Sequence, residues 1–235
     1  MEGERAFVSE LSEMDNRAAL LKPQNHIAYR YSLGGGVKTS LQWEPLRPAG
    51  YYQTFGPEVS FGARLSAESK EQIAIAKFTH SGSQIIDWTP EGSMAKTRHI
   101  YPDFIEFIRQ AQRSLSDKGF DVEIAGIFYH LGENDMSFYP YRKDAAERLK
   151  GIVAQSRVDL KLPELAWYVS QQKPTDHESV NKVDVVSMVS TVAEDDPHLH
   201  HLKAFDLPPQ EQRLVITTEG IVRLGEALAD FYLDL

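Results

Sequence analysis

The sequence predicts an α/β fold: a mainly parallel sheet with helices packed on both of its faces. Three observations lead there. Segments of strand and helix character alternate along most of the chain, the pattern of strands joined through helices. Successive strands are separated by about 10 residues or more, room for a parallel crossover and too long for a tight hairpin. The strand-like runs also end in loops of glycine and small polar residues, where open α/β sheets present side chains to ligands. No internal repeat, low-complexity run or linker composition interrupts the chain, so a single domain over residues 1–235 is expected.

Composition narrows the function. With 235 residues, 42% hydrophobic and 25% charged, the chain can bury a core without staples. A net charge of −9 argues against nucleic acid and against an anionic membrane surface as partners. The absence of cysteine excludes disulfides and thiolate metal sites. No apolar run approaches the roughly 20 residues that span a bilayer.

Residues 1–55 carry little periodicity. Aromatic positions (Tyr29, Tyr31, Trp43, Tyr51, Tyr52, Phe55) are mixed with turn signals at 34–36, Pro45, Pro48 and Gly50, and a long excursion with one short helix near 6–20 is expected. The string 34-GGGVKTS-40 has the wrong glycine spacing for a phosphate loop, and no apolar strand precedes it. Pro57 opens a helix over 57–68, with Val59, Phe61, Ala63 and Leu65 available for burial. A strand over 72–78 follows, running into 80-HSGSQIIDW-88. Residues 101–118 form a helix with Phe104, Ile105, Ile108, Ala111 and Leu115 at helical spacing, stopped by Gly119.

The densest stretch is 123-EIAGIFYHLGENDMSFYPYR-142. Residues 123–129 read as a buried strand, after which His130, Gly132, Glu133, Asn134 and Asp135 arrive within six positions. Gly132 permits a tight turn, and the Asn134 amide is a donor suited to an oxyanion. A plain capped turn before the next helix fits the spacing as well. That helix covers about 143–156, followed by a strand at 165–171, a helix near 179–193 and a strand at 201–207. The last helix runs over about 218–232, with Thr218 as N-cap and Ile221, Leu224, Leu228 and Phe231 as its buried stripe. His198, His200 and His201 follow three acids, but without a third ligand at metal spacing they read as a solvated loop before a strand. Trp43, Tyr51, Tyr52 and Trp88 are candidates to stack on a ligand ring or to pack in the core.

Four segments in order resemble the SGNH/GDSL hydrolases, in the branch of sialate O-acetylesterases and acetylxylan esterases (carbohydrate esterase family six). They are 55-FGPEVSFGARL-65, 73-IAIAKFTHSGSQIIDW-88, 124-IAGIFYHLGENDM-136 and 218-TEGIVRLGEALA-229. The resemblance implies a flavodoxin-like three-layer α/β/α sandwich and a serine esterase acting on acetylated sugars or a small ester, with no cofactor and no metal. It implies that Gly56 lends a backbone N–H, and Asn134 with Glu133 a loop, to an oxyanion hole. It places His80, Ser81, Gly82, Gly132 and Asp135 along the substrate.

The chain departs from the family pattern at three points. The serine of the GQSNM-like motif has no counterpart; the opening Met1-Glu2-Gly3 matches the end of that motif, so the first strand, its serine and any signal peptide are expected upstream of Met1. Gln212 and Val215 stand where the family has Asp-x-x-His, and neither can take the serine proton. Leu131 replaces the usual glutamine before Gly132. Two functions follow: an acetylesterase domain truncated at its N-terminus, or a non-catalytic relative that binds a glycan or a protein.

Overall fold

In the computed structural model of the protein, residues 6–14, 17–95, 98–137, 139–174, 182–204, 206–207 and 216–235 are described. In chain order the elements are α1 (Val8–Glu13), β1 (Gln24–Leu33), β2 (Lys38–Thr39), β3 (Glu44–Leu46), α2 (Glu58–Glu68), β4 (Ile73–Phe78), α3 (Tyr101–Ser116), β5 (Ile127–Leu131), α4 (Glu133–Ser137), α5 (Tyr139–Arg142), α6 (Ala145–Leu160), β6 (Trp167–Gln172), α7 (Val185–Glu194), β7 (Leu199–Ala204) and α8 (Thr218–Leu233). The result is a mixed α/β protein with parallel strand pairing, in two compact units: Met1–Ser81 with Asp206–Leu235, and Gly82–Phe205. Among the described residues no helix is long and apolar enough to cross a membrane.

The first unit is built on β1, which pairs in parallel with β4 and antiparallel with β2 and β3. The expectation of a poorly structured excursion over 1–55 is therefore corrected, because β1 is the longest strand among the described residues. Its alternate side chains Ile27, Tyr29, Tyr31 and Leu33 are buried together with Leu46 and Ala49, the period of two that a half-buried strand requires. The glycine run 34–36 is the turn between β1 and β2, with positive φ at all three residues, a conformation glycine adopts without Cβ strain. Helix α2 lies close on this sheet, since a Cβ at Gly62 would stand 2.4 Å from Leu46 Cδ2. Helix α8 lies closer still on α2: a Cβ at Gly225 would meet Ser60 Oγ and the Pro57 carbonyl. These two approaches give Gly62 of the FG-R-L segment and Gly225 of the C-terminal LG pair a steric reason. The N-cap of α8 is Thr217, one residue earlier than expected, and its Oγ1 accepts from the Gly220 N–H at 3.1 Å.

In the second unit β5, β6 and β7 form an all-parallel sheet, with Ile127 opposite Trp167 and Trp167 opposite Leu199. One face carries Ile127, Tyr129, Trp167 and Val169, packed against Trp88 and the α3 residue Phe104. On the other face Phe128, Tyr168 and His200 stack across the three strands, with ring centroids 4.6 and 5.0 Å apart. Strand β5 starts four residues later than the apolar run suggests, just past Gly126, where the Ile127 N–H donates to the Ala166 carbonyl at 2.9 Å. Strand β7 starts at Leu199, so His200 and His201 belong to the sheet rather than to a loop before it. Helix α7 begins at Val185, and residues 179–181 of the expected 179–193 helix lie outside the described residues.

Candidate functional site

Two loops at the carboxyl ends of strands carry most of the residues singled out from the sequence, and each unit holds its own set. In the second unit, the 82–85 loop and the loop after β5 are fastened together. The Asp135 carboxylate, 4% exposed, accepts the Ile85 N–H on both oxygens, at 3.0 and 3.1 Å. The Asn134 amide donates to the Ser83 carbonyl at 3.4 Å, which engages one of its two N–H groups. Gly132 precedes α4 and Glu133 is its first residue; the Glu133 side chain lies outside the described residues. Gly82, with φ of +64°, turns the chain so that its carbonyl accepts from Arg98 Nη1 at 2.8 Å.

Two residues here escaped sequence reading. Asp87 is 1% exposed and closes a capping box with Gln84, its Oδ2 accepting the Gln84 N–H at 2.9 Å. The glutamine and the acid three residues apart were the available signal. Arg98, whose guanidinium reaches Asp87 at 3.7 Å as well as Gly82, had no local signal.

Behind the loop stands His130. Its Nδ1 is 2.8 Å from the Ser170 hydroxyl across the β5–β6 pair, while Nε2 is buried with no partner among the described residues. Burial lowers its pKa to about 3, which keeps the imidazole neutral. Burial also pushes the Tyr129 phenol well up, helped by the Asp135 and Asp87 charges.

In the first unit, Gly56 is buried immediately before the α2 turn, and its carbonyl accepts the Val59 N–H at 3.4 Å. The first turn of a helix directs N–H groups outward, which favours a negative charge nearby. Glu58, two residues on, is locked in place: its carboxylate pairs with Lys77 on β4 at 2.7 Å and accepts from the Tyr29 hydroxyl at 3.3 Å. Both partners of that ion pair are nearly sealed from solvent, at 9% and 6% exposure. His80 and Ser81 follow β4, and the His80 ring packs against Gly35, where a Cβ would stand 2.8 Å from it. Gln212 and Val215 lie outside the described residues. Among the described residues no cluster of three or more His, Asp or Glu side chains is placed to hold a metal ion.

A family model described as SASA, carbohydrate esterase, sialic acid-specific acetylesterase, matches residues 31–234. No curated protein matches the chain. Among solved structures, a protein from Arabidopsis thaliana superposes with a TM-score of 0.65 at 19% identity, over 92% of this chain and 84% of that one. A second, titled a novel carbohydrate acetylesterase from Xanthomonas citri, has a TM-score of 0.63 at 13% identity, over 94% of this chain. The match covers 52% of the Xanthomonas chain, so the sequence here spans about half the length of that protein. At these identities the likeness is one of fold.

Proposed function

Because the chain belongs to the carbohydrate esterase family of sialic acid-specific acetylesterases, we propose that it serves the removal of O-acetyl groups from sugars. The observation that carries this reading is the family match over 31–234, which spans all four motif segments. The reading includes a flavodoxin-like three-layer α/β/α arrangement, supported by the alternation of strand and helix. Ester hydrolysis builds negative charge on the carbonyl oxygen, and preorganised N–H donors lower that barrier. Gly56 and Asn134 are assigned that task. Two features support the assignment: Gly56 is buried at the start of α2, and Asn134 is already oriented by Ser83. Glu133 belongs to the same loop. His80, Ser81, Gly82 and Gly132 are assigned to the walls that receive the sugar, with Asp135 holding one of those walls in place.

The family serine and its Asp-x-x-His pair match no residue of this sequence, since Gln212 and Val215 occupy the positions of the pair. That substitution favours a second reading, a family member that binds a glycan or a protein without turning it over. Acetate release from O-acetylated sialic acid and acetylated xylan separates the two. Release by the full-length protein supports the esterase; saturable sugar binding without release supports the binder. Placing aspartate at Gln212 and histidine at Val215 sharpens the test, because a gain of turnover would show a scaffold lacking only its base.

A further inference from the structure

Helix α6, helix α7 and the first residue of β7 enclose a crevice of about 280 Å³ that lies within the second unit. Its floor is apolar: Val153 and Leu199 are almost fully buried, with Val192 and Pro197 beside them. Four charged side chains complete the lining, and they divide into two kinds. Arg157 and Asp196 are engaged in building the wall. The three guanidinium nitrogens of Arg157 donate to Asp196 at 2.5 Å and to the Leu165 and His198 carbonyls, both at 3.0 Å. The other oxygen of Asp196 accepts the His198 N–H at 2.9 Å. These bonds fix the turn between α7 and β7 and leave the pair with no net charge. Lys150 and Asp195 are different: both are exposed, and neither has a hydrogen-bond or ion-pair partner among the described residues.

These two free charges stand at opposite ends of the crevice. Lys150 lies two turns ahead of Arg157 on α6, about 10 Å away at 1.5 Å per residue, whereas Asp195 adjoins the Asp196 that Arg157 holds. Asp195 is also the C-cap of α7, where the outward-facing carbonyls favour a positive charge. The crevice therefore has a cationic end, an aliphatic middle and an anionic end. Its volume matches roughly nine water molecules at about 30 Å³ each, which sets the ligand at about nine heavy atoms.

We propose that this crevice binds a linear ω-amino carboxylate, with the carboxylate at Lys150, the ammonium at Asp195 and the methylene chain across Val153, Val192 and Leu199. The two charges of an α-amino acid sit too close together to reach both ends. The crevice shares no residue with the loops assigned to deacetylation, so it stands or falls apart from that reading. The test is titration of the full chain with ε-aminocaproate, followed by amide NMR. Caproate, hexylamine and leucine serve as controls, the first two lacking one charge and the third carrying both at one end. The expected result is saturable binding at about millimolar affinity, as so small a ligand implies, with shifts at the Val153, Val192 and Leu199 amides. Each control should bind about fivefold more weakly, the upper range for a partly exposed ion pair. In Lys150→Gln the advantage over hexylamine should vanish while that over caproate persists, and Asp195→Asn should do the reverse. Both side chains are exposed, so neither substitution should move the thermal midpoint. Absence of saturable binding, shifts confined to other residues, equal affinity for ε-aminocaproate and leucine, or variants that keep both preferences overturns the proposal.

Discussion

His130 shows how a single side chain sets a dependence on pH. With burial holding its pKa near 3, the folded protein leaves it neutral at a pH where the unfolded chain, at about 6.5, already binds a proton. Stability is therefore fully present above pH 6.5 and falls as the pH drops toward 3, by about 1.4 kcal/mol per unit from this one group. His201, lowered to about 4 by burial, adds a similar slope over a shorter window. Denaturant unfolding at pH 7 and pH 5 should show a steep loss in the parent, and His130→Gln should remove about half of the slope due to the pair. Asp135 is tested by deletion. Asp135→Ala strands the buried Ile85 N–H and should cost about 2–3 kcal/mol in urea unfolding, while Asp135→Asn keeps an acceptor and should cost less. None of this was visible locally, since Asp135 and Ile85 lie 50 positions apart.

Glycines separate contact from propensity at the scale of elements. In α8, Gly225 faces the Pro57 carbonyl and Ser60 so closely that Gly225→Ala must push two helices apart, at a cost of about 1–3 kcal/mol or more. In α6, Gly151 has open space around the position of a Cβ, so Gly151→Ala should stabilise by about 0.5–1 kcal/mol. Thermal midpoints moving in opposite directions would confirm the packing of α8 on α2. Element identity was legible where the period was strong, as in α3 and α8. It was least legible in β1, whose buried Ile27, Tyr29, Tyr31 and Leu33 alternate with Ala28, Arg30 and Ser32 near a glycine run and two prolines. Those turn signals concealed a regular alternation. The start of β7 was missed for a related reason: three histidines read as a polar loop, whereas the His200 ring in fact stacks on Tyr168.

For the whole molecule, the α/β class followed from the order of elements, and family membership followed from four segments that are weak singly and specific in sequence. The candidate site was legible as two loops at strand ends. The fastenings that shape those loops were not, because the Asp135–Ile85 and Arg98–Gly82 contacts depend on how the chain folds back rather than on spacing. In the proposed deacetylation of sugars, Asn134 stabilises the oxyanion. The most direct measurement is acetate release from O-acetylated sialic acid by the full-length protein, beside its Asn134→Ala variant. The expected result is release by the parent, reduced about 100-fold or more in the variant with folding unchanged. No release by the parent, or equal rates in the two proteins, would contradict it.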